Sequence, residues 1–289
     1  MSSKTNIHQI GETFIELLSV DSTNNYAFGM IQAKLAAQGT AVFAHEQTKG
    51  KGQRGKTWIS EKGANIMLSV VLEPSFLQLH QQFYLSAAMA LAGYDFLKKY
   101  VPENIFIKWP NDLYWNDKKA GGILIETKIG IRMTDDRIQK GKNESIKLRI
   151  PNFEPRTSNF KPKTPNSELL WAVAGFGINI NQTKFSSSLK NPVSLKQITG
   201  SSYKPLDLAK ELCICVEKRY VQLQKNKFKL LLKEYNECLY KLNKEVKLKQ
   251  KNIVFKRIIK GVDETGRLLV DNAAHERYAW GEIEWMIDN

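Results

Sequence analysis

The sequence predicts an α+β protein in which a mixed or antiparallel sheet is flanked by helices and followed by a small C-terminal β-barrel domain. Three observations favour this fold class. Short apolar runs rich in β-branched residues lie between turn signals, at 40–47, 66–73, 105–127 and 169–181. Long apolar patterns of helical period lie between and after these runs. From about Val246 the pattern alternates, so we predict a large domain at 1–245 and a small β domain at 246–289.

The first half of the chain alternates between helix and strand. The DST at 21–23 precedes NNYAFGMIQAKLAAQG, an apolar pattern near helical period for which Ser or Thr is a suitable N-cap. Strands are predicted on both sides of a glycine-rich loop, and Pro74 then opens a long Ala- and Leu-rich helix that Pro102 closes. The segment 105–127 reads strand, Pro turn, strand, Asn-Asp turn, strand, which predicts a meander.

The second half begins with a break in this compact pattern. Residues 128–168 carry scattered charges and four prolines, so we predict an inserted, mobile segment between two sheet strands, with helical or strand fragments in its first half. LLWAVAGFGININ at 169–181 predicts a buried strand that ends in a glycine-rich corner. After a loop, helices are predicted at 205–224 and 227–241.

Length and composition bound the class of protein. The 289 residues are 42% hydrophobic, enough to fill the core of one large domain or of a large and a small one. No stretch approaches the ~20 apolar residues of a membrane span, and the N-terminus has no apolar signal core, so we expect a cytoplasmic protein. The three cysteines lack metal-site spacing and the four histidines are scattered, which predicts reduced thiols and no structural metal site.

The net charge of +14 raises the question of nucleic-acid binding. The charge is regional. Residues 128–168 contain ten Lys and Arg against five Asp and Glu, residues 210–260 contain fifteen against five, and the rest of the chain sums to −1. Because the motif-rich part is close to neutral, a solvated basic face that attracts acidic partners is favoured, and a nucleic-acid-binding protein stays as a remote alternative.

The glycine-rich loop GKGQRGKT at 50–57 satisfies G-x-x-x-x-G-K-[ST], the phosphate-binding loop of many nucleotide hydrolases. In such a loop the glycines open a helix whose N-terminal amides hold the phosphates. Here the turn-forming WISEKGAN follows, and then the apolar run IMLSVVLE. We therefore expect a loop between two strands, which would contact phosphate through backbone N–H groups and the cations Lys51, Arg54 and Lys56.

Four polar segments end or join apolar elements: DSTN at 21–24, EQTKGKGQRGKTW at 46–58, KWPNDLYWNDKKAGG at 108–122 and GFGININ at 175–181. Loops at strand ends are where a scaffold places its chemistry. Each segment alone has an ordinary explanation: a helix cap, a core or lid tryptophan, a solvated lysine hairpin or a turn asparagine. Together and in this order they resemble the biotin protein ligases over nearly the whole chain apart from 128–168. KWPNDLYW…KKAGGILIE is a highly specific part of that signature.

The resemblance implies that 1–245 is a catalytic domain related to class II aminoacyl-tRNA synthetases and lipoate ligases. It implies that ATP and biotin, with Mg²⁺, give biotinyl-5′-AMP and pyrophosphate. Biotin would then pass to a lysine of a carboxyl-carrier domain, such as that of acetyl-CoA carboxylase. Because the chain starts just before the DSTN segment, we expect no N-terminal DNA-binding domain, and we expect a monomer or weak homodimer with no membrane contact.

The residue chemistry fits this reaction. Joining a carboxylate to an α-phosphate brings two anions together, so catalysis rests on fixed cations and amide donors, usually with Mg²⁺. Lys51, Arg54, Lys56 and Lys119 are suitable cations, and no Ser–His or Cys–His nucleophile is needed. In the second step the partner protein supplies the amine, which a carboxylate such as Asp112 could steer or deprotonate.

Carried over motif by motif, the resemblance implies four sets of site residues. The biotin-binding set is Ser22, Thr23, Asn24, Gln47, Lys51, Gly52, Gln53, Lys119, Gly121 and Gly122. The ATP- and adenylate-binding set is Lys51, Gln53, Arg54, Lys56, Trp58, Asn111, Lys119 and Asn179. The catalytic set is Lys119, Lys51 and Asp112, with Lys119 the most important, and the expected Mg²⁺ contacts are Asp112 and Asn179.

The loop departs from the commonest spelling of the family, G-R-G-R-R-G-R, at Lys51, Gln53 and Lys56. Lysine keeps the charge but loses the planar fork that grips phosphate, and glutamine loses the charge. We predict that Gln53 orders the loop or retains the adenylate more than it contacts a charge. Gln53→Arg should then slow escape of the adenylate, and an unchanged adenylate off-rate would contradict this.

Two alternatives stay open at the level of sequence. A lipoate ligase shares the architecture and the adenylate chemistry, although DSTN and KWPNDLYW favour biotin. The basic segment 128–168 could dock acidic carrier domains, since complementary charge speeds encounter, but a segment without a role is favoured. Deleting it and measuring carrier biotinylation at low and high salt would separate these two interpretations.

Overall fold

The structure of the chain is a computed structural model that describes residues 9–131, 167–187, 189–271 and 276–286. Within these ranges the helices are α1 (Thr23–Gln32), α2 (Gln82–Lys98), α3 (Leu195–Thr199), α4 (Pro205–Gln224) and α5 (Phe228–Glu237). The strands of the first sheet are β1 (Phe14–Leu17), β2 (Ala41–Ala44), β3 (Ile66–Leu72), β4 (Ile105–Lys108), β5 (Asp112–Trp115), β6 (Lys118–Ile131) and β7 (Ser167–Ile178). Those of the second sheet are β8 (Glu245–Gln250), β9 (Ile253–Val262), β10 (Leu268–Val270), β11 (Arg277–Tyr278) and β12 (Glu284–Met286).

The first sheet has seven strands in the order β1-β2-β3-β7-β6-β5-β4. Strands β1 and β2 run parallel, and every other neighbouring pair is antiparallel. The β4-β5-β6 meander arises because the Pro turn and the Asn-Asp turn divide this part of the chain into three apolar runs. The predicted α+β class with a mixed sheet is confirmed.

The two faces of this sheet have different environments, because successive side chains of a strand point to opposite faces. On one face Phe43, Leu68 and Phe176 join the main core, to which α2, α4 and α5 contribute. On the other face Val42 and Val173 pack with α1, which contacts β2, β3 and β7. Ser69, Glu126 and Asp112, described below, lie on this second face.

The long β6–β7 pair corrects one boundary that the sequence predicts. The predicted segment 128–168 overlaps the sheet at both ends, because β6 continues to Ile131 and β7 starts at Ser167. The intervening residues 132–166 lie outside the described residues, so the mobility expected of them stays a prediction.

The second sheet is antiparallel, with the strand order β11-β10-β9-β8-β12, and begins at Glu245, one residue before the predicted boundary. It packs closely against the first domain. A Cβ at Gly266 would lie 2.4 Å from the Phe83 ring, and the Asn236 side chain is hydrogen-bonded to both the N–H and the carbonyl of Val262. The small C-terminal β domain is therefore confirmed as an antiparallel sheet.

Several local features differ from the sequence expectation. Strand β1 is not predicted, and the loop before α4 contains the short helix α3. Helix α1 ends at Gln32, well before Gly39, and Lys34 beyond it adopts a left-handed φ of 58°.

The three cysteines are free, and burial raises the pKa of the Cys213 thiol to about 12. Of the helices in the described ranges, none has the length and apolar character needed to cross a membrane.

Candidate active site

A neutral hydrogen-bonded cluster lies where α1 begins. The Thr23 N–H donates to Gln47 Oε1 at 2.8 Å, and the Thr23 hydroxyl lies 3.1 Å from the same oxygen. The Ser69 hydroxyl lies 2.7 Å from Thr23 Oγ1 and 2.6 Å from Asn24 Oδ1. Ser22 is buried at the position before the helix, and within the described residues its side chain makes no capping hydrogen bond. The cluster therefore presents hydroxyl and amide groups without a net charge.

Glu126 connects this neutral cluster to the glycine-rich loop. Asn24 Nδ2 donates to Glu126 Oε2 at 2.8 Å, and Lys51 Nζ lies 3.1 Å from Glu126 Oε1. Sequence analysis missed both Ser69 and Glu126. Gly175 on β7 makes room for the arrangement, since a Cβ there would lie 2.3 Å from Asn24 Oδ1.

The glycine-rich loop, which we call the flap (residues 50–57), is a short loop with its own hydrogen bonds. Gly52 N–H donates to the Lys56 carbonyl at 2.7 Å, and Trp58 N–H donates to the Gly50 carbonyl at 2.9 Å. Its centre is a single 3-10 turn, and β3 follows. The P-loop interpretation is therefore excluded, and a loop between two strands is confirmed.

Arg54 is the flap residue that contacts the C-terminal part of the chain. It adopts a left-handed conformation with φ 55°, and its guanidinium carbon lies 5.0 Å from the ring centre of Trp280, in the connection between β11 and β12. Gly281 lies beside the same guanidinium, because a Cβ there would be 2.1 Å from Arg54 Nη2. Gln53 is half-buried and Lys56 is exposed.

Trp58 lies against the sheet beyond the flap. A Cβ at Gly177 would be 2.6 Å from its ring, so only glycine allows this contact. Within the described residues the buried Trp58 Nε1 has no hydrogen-bond partner. Buried donors are normally paired, so this N–H is available to an acceptor on a ligand.

Lys119 and Asp112 form the second charged pair of the site. Lys119 Nζ lies 2.7 Å from Asp112 Oδ1, and both side chains are about a third exposed. Gly122 lies directly opposite Asp112, and a Cβ there would be 3.0 Å from Asp112 Oδ1. At Gly121 a Cβ would instead be 2.8 Å from the Gly177 carbonyl, so Gly121 permits close approach of two strands.

The asparagines Asn111 and Asn179 brace the main chain around this pair. Asn111 Nδ2 donates to the Ile123 carbonyl, and its buried Oδ1 lacks a partner among the described residues. Asn179 Nδ2 donates to the Val193 carbonyl at 3.1 Å, and the Lys119 carbonyl in turn accepts from the Val193 N–H at 2.9 Å. Asn179 therefore holds the loop that fixes the backbone of Lys119.

Lys108 is a further site residue that sequence analysis missed. It ends β4 directly opposite Asp112. Its ammonium lies 5.4 Å from the Tyr114 ring centre and 5.6 Å from that of Trp285. Burial lowers the pKa of Lys108; the Asp112 carboxylate opposes this shift, and the positive charges of Lys119 and Lys56 add to it.

The neutral cluster and the two lysine–carboxylate pairs lie along one face of the sheet, whereas Gly121 pairs with Leu113 and Ile178 and so belongs to the core face. The neutral cluster lies at the α1 end, the Lys51–Glu126 pair follows, and the Lys119–Asp112 pair lies nearer the second sheet. Among the described residues no group of three or more His, Cys, Asp or Glu could hold a metal ion by itself. The arrangement can hold a neutral polar group next to anions.

Residues 17–141 match the family model described as the Biotin/lipoate A/B protein ligase family. Region 17–141 therefore resembles this family, and the match covers less than half of the chain. Among curated relatives, the bifunctional ligase/repressor BirA of Bacillus subtilis is 28% identical over 240 residues, which are 82% of this chain and 62% of the relative. The biotin--[acetyl-CoA-carboxylase] ligase of Paracoccus denitrificans is 40% identical over 116 residues, which are 38% of this chain and 45% of the relative. The chain thus spans about three fifths of the length of the BirA relative.

Solved structures of biotin protein ligases share the fold of this chain. The Aquifex aeolicus enzyme in complex with biotin and ATP has a TM-score of 0.69 and 22% identity, covering 96% of this chain and 100% of that one. The Leishmania major enzyme in complex with biotinyl-5-AMP has a TM-score of 0.57 and 19% identity, covering 96% and 99%. At these identities the likeness shows the fold alone.

Proposed function

We propose that the chain is an ATP-dependent biotin protein ligase. In the first step a carboxylate oxygen of biotin attacks the α-phosphorus of ATP, the bond to the β-phosphate oxygen breaks, and biotinyl-5′-AMP and pyrophosphate form. In the second step an acceptor lysine attacks the acyl carbon, AMP leaves, and an amide forms. The observation that carries the proposal is the neutral cluster of Thr23, Asn24 and Ser69 leading along one sheet face to Lys51 and Lys119.

The neutral cluster supports biotin as the substrate. A ureido ring is polar and uncharged, with N–H donors and a carbonyl acceptor, and it requires partners of the same kind when buried. Hydroxyl and amide groups at Thr23, Asn24 and Ser69 supply them, with Gln47 at 2.8 Å from the Thr23 N–H. A lipoyl group has only an apolar dithiolane at that end, which offers these hydroxyl and amide groups no hydrogen-bond partner.

The two lysines support adenylate formation. Lys51 and Lys119 are each paired with a carboxylate, Glu126 and Asp112 respectively. A substrate carboxylate and an α-phosphate would compete with these side chains for the same ammonium groups. Fixed cations next to the reacting atoms stabilise the charge that accumulates as two anions are joined.

Mg²⁺ would be held chiefly through ATP. Mg²⁺ is commonly bound by one or two carboxylates together with substrate phosphates and water. Asp112, beside Lys119, is the side chain whose chemistry suits this role, whereas Asn179 binds main-chain carbonyls through its amide nitrogen. The ion, when bound, neutralises phosphate charge.

The acceptor is proposed to be a biotin carboxyl-carrier domain. The name of the Paracoccus denitrificans relative specifies acetyl-CoA carboxylase as its target. The acceptor amine must lose its proton before it attacks the adenylate, and Asp112 is a carboxylate near the reacting centre that can take it.

The test is formation of biotinyl-5′-AMP from the full chain, ATP, Mg²⁺ and biotin, detected by its mass. A parallel reaction contains lipoate in place of biotin. We expect the adenylate with biotin only. Adenylation of lipoate but not biotin, or of neither acid, would contradict the proposal.

Lys119→Ala is the matched variant for this assay, with Lys118→Ala as the control because Lys118 is an exposed neighbour on the same strand. Loss of a fixed cation at the reacting phosphate should lower adenylate formation by about 100-fold or more. The Lys118 variant should keep the activity, and circular dichroism should show that both variants are folded.

A further inference from the structure

We propose that Lys108 is a catalytic residue that binds the pyrophosphate leaving group of ATP. The inference rests on the proposed adenylate chemistry and assigns its leaving-group end to a residue at the junction of the two sheets. Lys108 lies on β4 beneath Trp285 of β12.

The register of the first sheet places Lys108 in line with the other site residues. Gly177 of β7 is paired with Gly122 of β6, Gly122 with Asp112 of β5, and Asp112 with Lys108 of β4. Paired residues point to the same face, and neighbouring strands are about 4.8 Å apart. Lys108 is therefore one strand beyond the Lys119–Asp112 pair, on the side away from the neutral cluster.

The direction of the reaction then assigns this position. In phosphoryl-group chemistry the attacking and the leaving oxygen lie roughly in line on opposite sides of the phosphorus. Under the proposed function the biotin carboxylate would arrive from the side of Asn24 and Lys51, and the α-phosphate would lie at Lys119. The two lysines are placed by their pairs with Glu126 and Asp112. The oxygen that leaves with pyrophosphate must depart toward the opposite side, where Lys108 lies.

Among the described residues, the carboxylates around Lys108 act on it without forming an ion pair. Lys51 and Lys119 each have a carboxylate within 3.1 Å, whereas no carboxylate of the described residues forms an ion pair with Lys108. The charges that act on it are those of Asp112, Lys119, Lys56 and Glu284. The aromatic faces of Tyr114 and Trp285 hold the cation without neutralising it.

Pyrophosphate supplies the missing ion-pair partner. It carries several negative charges at neutral pH, and the exposed flap residue Lys56 is a second cation whose charge adds to the lowering of the Lys108 pKa. An ammonium that donates to a phosphate oxygen makes a charge-assisted hydrogen bond, which is stronger than a neutral one. In the reaction no proton needs to move at Lys108, since the ammonium stabilises the charge that develops on the departing oxygen.

The first test is binding of inorganic pyrophosphate and Mg²⁺ to the full chain without biotin or ATP, by calorimetry. Lys108→Met keeps an unbranched stem between the rings and removes the charge. Lys98→Met is the matched control, because Lys98 also lies over a tyrosine ring, 5.5 Å from that of Tyr94 on α2. Lys108→Met should bind pyrophosphate about ten-fold or more weakly, the loss expected for one charge-assisted contact, and Lys98→Met should bind as the unaltered chain does.

The second test separates catalysis from support of the Trp285 packing. Lys108→Met should slow adenylate formation, yet transfer to the acceptor from added biotinyl-5′-AMP should keep its rate. Lys108→Arg, which retains a cation, should recover part of the pyrophosphate affinity. Equal pyrophosphate affinity in Lys108→Met and the unaltered chain, or equal slowing of both steps, would overturn the inference. If the unaltered chain binds pyrophosphate through Lys108 but makes no biotinyl-5′-AMP, the proposed function fails while the anion site stands.

Discussion

At the scale of single residues, the site depends on glycines, whose lack of a side chain leaves room for neighbouring residues. Gly175 and Gly177 of β7 leave room for Asn24 and for the Trp58 ring, which would lie 2.3 Å and 2.6 Å from an added Cβ. The two glycines therefore set how closely the neutral cluster and the tryptophan approach the sheet. The Asn24 contact involves a side chain that has hydrogen bonds to both Ser69 and Glu126.

Gly175→Ala should weaken biotin binding by about ten-fold or more, because Asn24 must move and at least one buried hydrogen bond is lost. Calorimetry with biotin alone measures this. Gly29→Ala is the control, since a Cβ on Gly29 of α1 meets nothing within 4 Å. Biotin affinity unchanged in Gly175→Ala would show that Asn24 does not contact the ring.

The residues that sequence reasoning found and missed differ in their surroundings. Thr23, Asn24 and Lys119 are polar residues in polar segments, so a motif reveals them. Ser69 lies inside the apolar run IMLSVVL, where a small residue looks like part of the core. Glu126 contacts Lys51, from which it is separated by 75 positions in the sequence. Such pairings follow from strand register, which a single sequence does not specify.

At the scale of elements, the flap contacts the connection between β11 and β12. Arg54 stacks on Trp280, and Trp280 in turn meets Trp109 edge to face with ring centres 5.2 Å apart. Trp109 Nε1 donates to the Gly266 carbonyl at 2.9 Å, which fixes that ring. The contact gives Arg54 a positioning role for the flap that its motif alone does not indicate.

Arg54→Ala should make the flap easier to cleave in protein without biotin or ATP. An exposed cation–π contact contributes about 0.5–1 kcal/mol, so we expect cleavage about two- to five-fold faster. Subtilisin is the suitable protease, because removing Arg54 would also remove a trypsin site.

Trp280→Ala should have the same effect as Arg54→Ala, and the double variant should be cleaved no faster than either single one. Arg257→Ala is the control, since Arg257 makes the same kind of contact within β9, 4.9 Å from the Phe255 ring centre. Additive effects of the two flap variants would show that the contact does not restrain the loop.

The elements that the sequence predicts best are those with strong local signals. Helix α4 matches its predicted bounds of 205–224, and the meander appears as three strands joined by its Pro and Asn-Asp turns. Strand β1 has only four residues, too few to show a clear alternation of apolar and polar side chains. Because it pairs in parallel with β2, no tight turn in the sequence joins the two strands. The end of β6 depends on pairing with β7 across 132–166, which local pattern does not reveal.

At the scale of the whole molecule, one hydrophobic cluster joins the two sheets. Buried residues of β8, β9 and β10, including Leu248, Ile259 and Leu268, belong to the same cluster as those of the first sheet and α2. The second sheet therefore contributes to the stability of the site as well as to its contacts at Trp280 and Trp285.

A shared core predicts a single cooperative unfolding transition. In calorimetry the van't Hoff and calorimetric enthalpies should agree. Two resolved transitions, one of them removed by a substitution such as Leu248→Ala, would instead indicate that the second sheet unfolds by itself. Leu248 is fully buried, which makes it sensitive to truncation.

The central claim is that this chain activates biotin as an adenylate, with Lys119 at the reacting phosphate. The most direct measurement is exchange of labelled pyrophosphate into ATP, because exchange requires the adenylate to form reversibly. The account predicts exchange that depends on biotin, is not supported by lipoate, falls about 100-fold or more in Lys119→Ala and persists in Lys118→Ala. Exchange without biotin, exchange supported by lipoate alone, or undiminished exchange in Lys119→Ala would contradict it.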